Sequence, residues 1–301
     1  MVAVETVGLL ALLVGLGYAS WTDWKYREVS DLLWVGLVLV GSVVGFVALA
    51  PSGWLPTLLW LAVSLLVLEH LVPWDAPLER LGPSVPGAVE LAAYVAVGVA
   101  VFGESLRSGV GPHSVPIPVI AVYVCVLAAR GLFELGVLYG GADAKAMMVA
   151  ALLVPVDSVT LLTIPTNAAN LLSIYPFAVN MLLNGALLAI TVPIAIAFRN
   201  LRRREFQFPR GFVNYRIDID ELPNSFVWVK DPALTDVEPE DEPETSADDR
   251  QLRQQHADRL RAAGVRRVWV SPQLPFVVFM WLGAILTVVA GSLLFDVLAA
   301  A

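Results

Sequence analysis

Apolar residues in this chain run in long blocks, and they neither alternate in strand fashion nor repeat on one helical face. The blocks fall at 2–20, 31–50, 54–72, 87–103, 115–138, 144–164, 173–198 and 275–297. At about 1.5 Å per residue, a block of roughly 17–25 residues crosses a hydrocarbon core of about 30 Å, so each predicts a membrane-spanning helix. The block at 144–164 is the weakest, because Pro155 and Asp157 interrupt it and reduce it to a short helix followed by an external loop. The first block reads as an ordinary span, not a cleavable signal peptide, since it carries Glu5 and lacks a basic leading region.

One sizeable hydrophilic segment, 199–274, breaks the series. Within it Phe212–Asp220 and Phe226–Lys230 alternate as strands do, with a turn at Leu222-Pro223-Asn224 between them. Residues 231–249, rich in Asp, Glu and Pro, read as an acidic linker, and carboxylates in such number would also suit a high-salt cytoplasm. A helix follows from Asp248 to Ala263, closed by Gly264, and Val268-Trp269-Val270 adds a short strand. The expected fold is an all-α polytopic membrane protein of about eight spans, or six or seven if weak blocks drop out. It comprises a membrane core over 1–198, a small α+β module over 199–274 and a last helix over 275–301.

Composition agrees with the pattern: of 301 residues, 57% are hydrophobic and only 15% charged, against roughly 25% charged in soluble domains. The net charge of −8 argues against nucleic acid as a partner. Cys125, the one cysteine, excludes an internal disulfide and a zinc site built from cysteines, and it reads as a core filler. His70, His113 and His256 have no second ligand at metal spacing, so no metal and no cofactor is expected. Lysines and arginines near span ends set orientation. Lys25 and Arg27 put the first loop in the cytoplasm, and Arg199, Arg202, Arg203 and Arg204 put the end of the seventh span there, with Arg266 and Arg267 flanking the last span. Even parity then places the segment around 139–143 on the same face, with both termini outside.

Ionisable residues in or beside a span are costly, and so they are candidates for function. Asp23 stands in Tyr18-Ala19-Ser20-Trp21-Thr22-Asp23-Trp24-Lys25-Tyr26-Arg27; it is either a reactive carboxylate or an interfacial one paired with Lys25 or Arg27. Asp143 stands in Tyr139-Gly140-Gly141-Ala142-Asp143-Ala144-Lys145-Ala146-Met147-Met148; it is either reactive or a helix cap. Both lie at span ends on one face. Two close carboxylates cannot both ionise cheaply, so they share a proton, one activating water while the other polarises a scissile carbonyl. Lys145 either biases that charge or extends to the interface. Arg130 and Glu134, four apart, predict a helical ion pair.

These residues resemble the type IV prepilin peptidases, and most closely their archaeal preflagellin and prepilin branch. Gly140-Gly141-Ala142-Asp143 is similar to the family's Gly-x-Gly-Asp signature, with Ala142 in place of the second glycine. Asp23, followed by Lys25 and Arg27, resembles its first aspartate motif, with Val29-Ser30-Asp31 where Ile-Pro-Asn is usual. Segment 267–276 resembles the cytoplasmic end of the archaeal members' last span. The bacterial members' tetracysteine zinc domain has no counterpart, and the compact archaeal fold implies six spans. The resemblance implies a multi-pass cell-membrane aspartyl endopeptidase with Asp23 and Asp143 as its catalytic pair. Gly140, Gly141, Ala142 and Lys145 would bind or position substrate. Substrates would be archaellin or pilin precursors carrying a short basic leader before a hydrophobic helix, cut at the cytoplasmic face. Two other readings use the same aspartates. In a presenilin or signal-peptide-peptidase type protease, cutting occurs within the membrane, although that class has Tyr-Asp where this chain has Thr22-Asp23. In a transporter, the pair would serve as coupling carboxylates.

Overall fold

A computed structural model describes residues 2–71, 85–108, 116–138, 141–155, 176–230 and 246–293. It is mostly helical and divides into two compact units. The first comprises Met1–Asp23, Val29–Ala186 and Phe276–Ala301, and the second Trp24–Glu28 with Leu187–Pro275. In chain order the helices are α1 (Val2–Tyr26), α2 (Asp31–Leu49), α3 (Trp54–Leu71), α4 (Val85–Ser108), α5 (Pro116–Glu134), α6 (Gly141–Leu153), α7 (Phe177–Ala189), α8 (Thr191–Arg202), α9 (Ser246–Ala262) and α10 (Phe276–Ala290).

Six of the expected spans are helices long and apolar enough to cross a membrane: Glu5–Tyr26, Asp31–Ser52, Trp54–Leu71, Gly87–Arg107, Ile117–Glu134 and Phe177–Arg202, the last formed by α7 and α8 in series. Six, not eight, is the number among the described residues. The two that fall short are α6 and α10. Pro155 lies two residues past the end of α6, and a proline does not continue a helix, so α6 has 13 residues and reaches about 20 Å. The α10 helix has 15 described residues and ends at Gly291, whose φ of 76° is a left-handed stop. Asp157 lies outside the described residues.

The first unit is organised around α6. From Ala146 to Leu153 every residue of that helix is buried, with α2, α3, α5 and α10 packed about it. A helix apolar on all sides has no solvent face to offer and must sit at the centre of a bundle. Small residues let the neighbours close in. A Cβ added at Gly8 of α1 would overlap the Leu153 carbonyl oxygen, and one at Gly41 of α2 would meet Leu152. Between α7 and α10, a Cβ at Gly283 would overlap the Met181 carbonyl oxygen, and Asn184 donates to the Thr287 hydroxyl at 3.0 Å and to the Gly291 carbonyl at 2.9 Å. Arg130 does not form its expected pair with Glu134. It reaches across to Glu90 of α4 and stacks on Tyr94 at 5.0 Å, because the neighbouring helix offers both a carboxylate and a ring.

The second unit holds a three-stranded antiparallel sheet: β1 (Tyr215–Asp218), β2 (Val227–Val229) and β3 (Arg267–Pro272), in the order β1-β3-β2. The two strands expected around a turn do not pair with each other. A 3-10 segment, Ile219–Asn224, carries the chain away from β1, and β3 enters between, setting Ile217 opposite Val268 and Val229 opposite Val270. The α9 helix covers one face through Ala257 and Leu260 and ends before Gly264, at φ 72°. Phe226 is flanked by Arg27 at 5.0 Å and Arg253 at 5.6 Å. Most of the expected acidic linker, 231–245, lies outside the described residues.

Packing against backbone cannot be relieved by a rotamer change. Gly283→Val should therefore destabilise the protein by about 1–3 kcal/mol, whereas Gly36→Val, at a position where an added Cβ meets nothing within 4 Å, should be neutral. Unfolding titrations of the two variants in the same micelle provide the comparison; equal losses would contradict the close α7–α10 contact.

Candidate functional site

The direction of each helix in the first unit can be read from its contacts. Gly8 faces Val44 and Gly15 faces Leu37, so α1 and α2 run antiparallel, and eight further residues along α1 bring Asp23 level with the start of α2. Lys145 contacts Asp31 and Leu152 contacts Gly41, so α2 and α6 run parallel. Asp23 at the end of α1, Asp31 at the start of α2 and Asp143 in the first turn of α6 therefore belong to the same end of the bundle. The last helix begins there too: Ser20 donates to the Val277 carbonyl at 3.2 Å, and Trp281 donates to that of Leu13 at 3.0 Å, setting α10 antiparallel to α1.

Asp143 is buried, only 8% exposed, whereas Asp23 is partly exposed. The N-terminus of α6 supports a carboxylate at Asp143, because unsatisfied N–H groups and the helix dipole favour negative charge in a first turn. Asp23 stands just before the reversal of the chain. Arg27 adopts φ 61°, and the chain re-enters α2 after Ser30, whose carbonyl accepts from Leu33 N–H at 3.1 Å. Lys25 lies over the Tyr26 ring at 4.9 Å.

Lys145 is paired: its Nζ lies 2.5 Å from Asp31 Oδ1. This contact joins the two aspartate motifs directly, since Asp31 closes the first and Lys145 follows the second. Asp31 is a residue that sequence reasoning missed as a site member. The signal was present in a first-turn carboxylate following Ser30, but nothing in the spacing pointed from Asp31 to Lys145, 114 residues on. His70 is the second omission. It ends α3 at the same end of the bundle, edge-on to Phe133 at 6.2 Å and within electrostatic range of Arg130, Glu134 and Lys145.

Of the other expected positions, Ala142 is partly buried against the core, and Gly141 opens α6 with no atom of the described residues within 4 Å of where its Cβ would be. Gly140 lies outside the described residues. Cys125 is buried in the core of α5. Among the described residues no three His, Cys, Asp or Glu side chains gather as metal ligands would. Neither a scan against protein-family models nor a search of curated proteins returned a match.

With Asp31 59% and Lys145 20% exposed at the side chain, their pair is only partly shielded and is worth about 0.2–1 kcal/mol. A double-mutant cycle of Asp31→Asn and Lys145→Met, read by thermal unfolding in detergent, should give a coupling in that range. Strict additivity would show that the two charges do not interact.

Proposed function

We propose that this chain is a membrane aspartyl endopeptidase that removes the short basic leader from archaellin-like or type IV pilin-like precursors at the cytoplasmic face of the cell membrane. The observation that carries the reading is the convergence of Asp23 and Asp143 on one end of the bundle, from helices separated by more than 100 residues of chain. Support also comes from the resemblance of the sequences around both aspartates to the prepilin peptidase motifs. Asp31 and Glu90 at that end are matched by Lys145 and Arg130, which leaves Asp23 and Asp143 as the carboxylates assigned to the substrate.

In this mechanism the pair holds one proton. The ionised carboxylate takes a proton from water, whose oxygen attacks the scissile carbonyl carbon, while the protonated carboxyl donates to the carbonyl oxygen. The resulting diol collapses, the C–N bond breaks, and a proton passes to the departing amine. The two carboxyls titrate as one unit, so neither owns the role of base. Lys145, tied to Asp31, steadies the start of α2 next to the reacting groups.

Asp23→Asn and Asp143→Asn should each lower cleavage of a co-expressed short-leader precursor by at least about 100-fold, because an amide neither ionises nor donates an acidic proton. Comparable melting temperatures would show both variants to be folded, and substantial cleavage by either would sink the assignment.

A second measurement tests the face. In a Cys125→Ser background, cysteines at Thr22 and Ala142 should react with polar thiol reagents in inside-out vesicles and stay unlabelled from the other side. Labelling from opposite faces would exclude a shared site, since a bilayer core of about 30 Å would separate the two carboxyls. Access that changes with substrate state would favour a transporter, and weak labelling from both sides would favour a protease cutting inside the membrane.

A further inference from the structure

The segment that leaves α8 is folded back on that helix and presents apolar rings to the outside. Asn200, buried in the last turn, donates its amide to the carbonyls of Gly211 at 2.8 Å and Asn214 at 2.7 Å, fastening the returning chain beside the helix end. Inside this loop Phe206 meets Phe212 edge-on at 5.2 Å, and a Cβ at Gly211 would press on the Phe206 ring. The loop is therefore held in shape from within. Yet Phe208 at its tip is 83% exposed, and Phe198 and Leu201 on the adjoining helix turn are about 60% exposed. A ring left bare on a well-fastened loop is costly in water and calls for an apolar neighbour.

The charges beside these groups identify that neighbour. Arg202, Arg203 and Arg204 are exposed, and none is paired with a carboxylate among the described residues. The nearby acid, Glu205, is already taken by Arg267. Arg199 and Arg210 are likewise engaged, stacked on Tyr215 at 4.1 Å and Trp269 at 4.7 Å. Arg202 lies over the Phe198 ring at 5.7 Å, and three guanidinium groups without a carboxylate partner among the described residues thus flank exposed aromatic and aliphatic side chains, at the point where Phe177–Arg202, a helix long and apolar enough to cross a membrane, comes to its end. Rings that favour the headgroup level beside arginines that attract lipid phosphate are the two components of an interfacial anchor.

We propose that the end of α8 and the loop at 205–214 form a docking surface for anionic lipid headgroups, with Phe208 inserted at the bilayer interface and Arg202, Arg203 and Arg204 on the lipid phosphates. The surface tethers the second unit to the membrane that α8 leaves, independently of any chemistry at Asp23 and Asp143.

The test uses full-length protein in nanodiscs of mixed phosphatidylcholine and phosphatidylglycerol. A Cys125→Ser, Phe208→Cys variant carries a polarity-sensitive fluorophore, and a nitroxide at a shallow acyl position is placed on one lipid or the other. Strong quenching is expected at position 208, with labelled phosphatidylglycerol at least about threefold more effective than labelled phosphatidylcholine. A fluorophore at Asp258, on exposed α9, supplies the aqueous reference. Changing Arg202, Arg203 and Arg204 together to Gln should bring the lipid ratio close to one, and Asp143→Asn should leave it unchanged. Emission at 208 matching the aqueous reference would overturn the docking surface. Quenching that is equal for both lipids, or that survives the triple replacement with its ratio intact, would overturn the role of the arginines.

Discussion

Everything in the first unit follows from the burial of α6. From Ala146 onward it is apolar and enclosed on all sides, so charge is tolerable only in its opening turns. A charged group at the centre of a membrane helix costs at least about 2.5–3.5 kcal/mol. Asp143 and Lys145 therefore stand at the start of the helix, and whatever is to meet them must come to that end. The ends of α1, α3 and α5 and the starts of α2, α4 and α10 do so, carrying Asp23, Asp31, Glu69, His70, Glu90, Arg130 and Glu134. The polar end of the bundle results from a single central helix that can be polar nowhere else.

The contacts that hold this arrangement differ in what they contribute. Apolar packing around α6, tightened where Gly8 and Gly41 let neighbouring helices approach its last turn, carries the stability. The Asp31–Lys145 pair adds little energy at its exposure, but it sets register between α2 and α6. The second unit is assembled by other means, with a small sheet, a covering helix and arginines stacked on Tyr215, Phe226 and Trp269. Stacking lets a guanidinium be shielded without an acid, as Arg202 is over Phe198 at 5.7 Å, while Arg203 and Arg204 are exposed with no carboxylate partner among the described residues.

Hydropathy located most of the helices, because a span must be apolar over a set length whatever its neighbours are. Six spans are found among the described residues, and at α6 apolarity has a second cause. The α6 block is apolar through burial in protein, and Pro155 ends it short of a span. Spacing also misled at Arg130, since proximity of four residues makes a partner available without making it preferred, and Glu90 with Tyr94 on α4 was the better offer. In the hydrophilic segment the strands were visible by alternation, whereas the insertion of β3 between β1 and β2 was not, because alternation marks a face and carries no information about which edge is filled.

By itself the sequence determined the class of molecule, the positions of most spans and the two aspartates worth attention, because length, apolarity and the cost of charge in lipid are local properties. Parity already implied one face for Asp23 and Asp143; tertiary structure alone decided which helix lies at the centre, which residues of α1, α2 and α6 come level, and that Asp31 reaches Lys145. Those outcomes depend on helix direction and register. They are set by close contacts between residues far apart in the chain, such as Gly8 with Leu153, which no local pattern encodes.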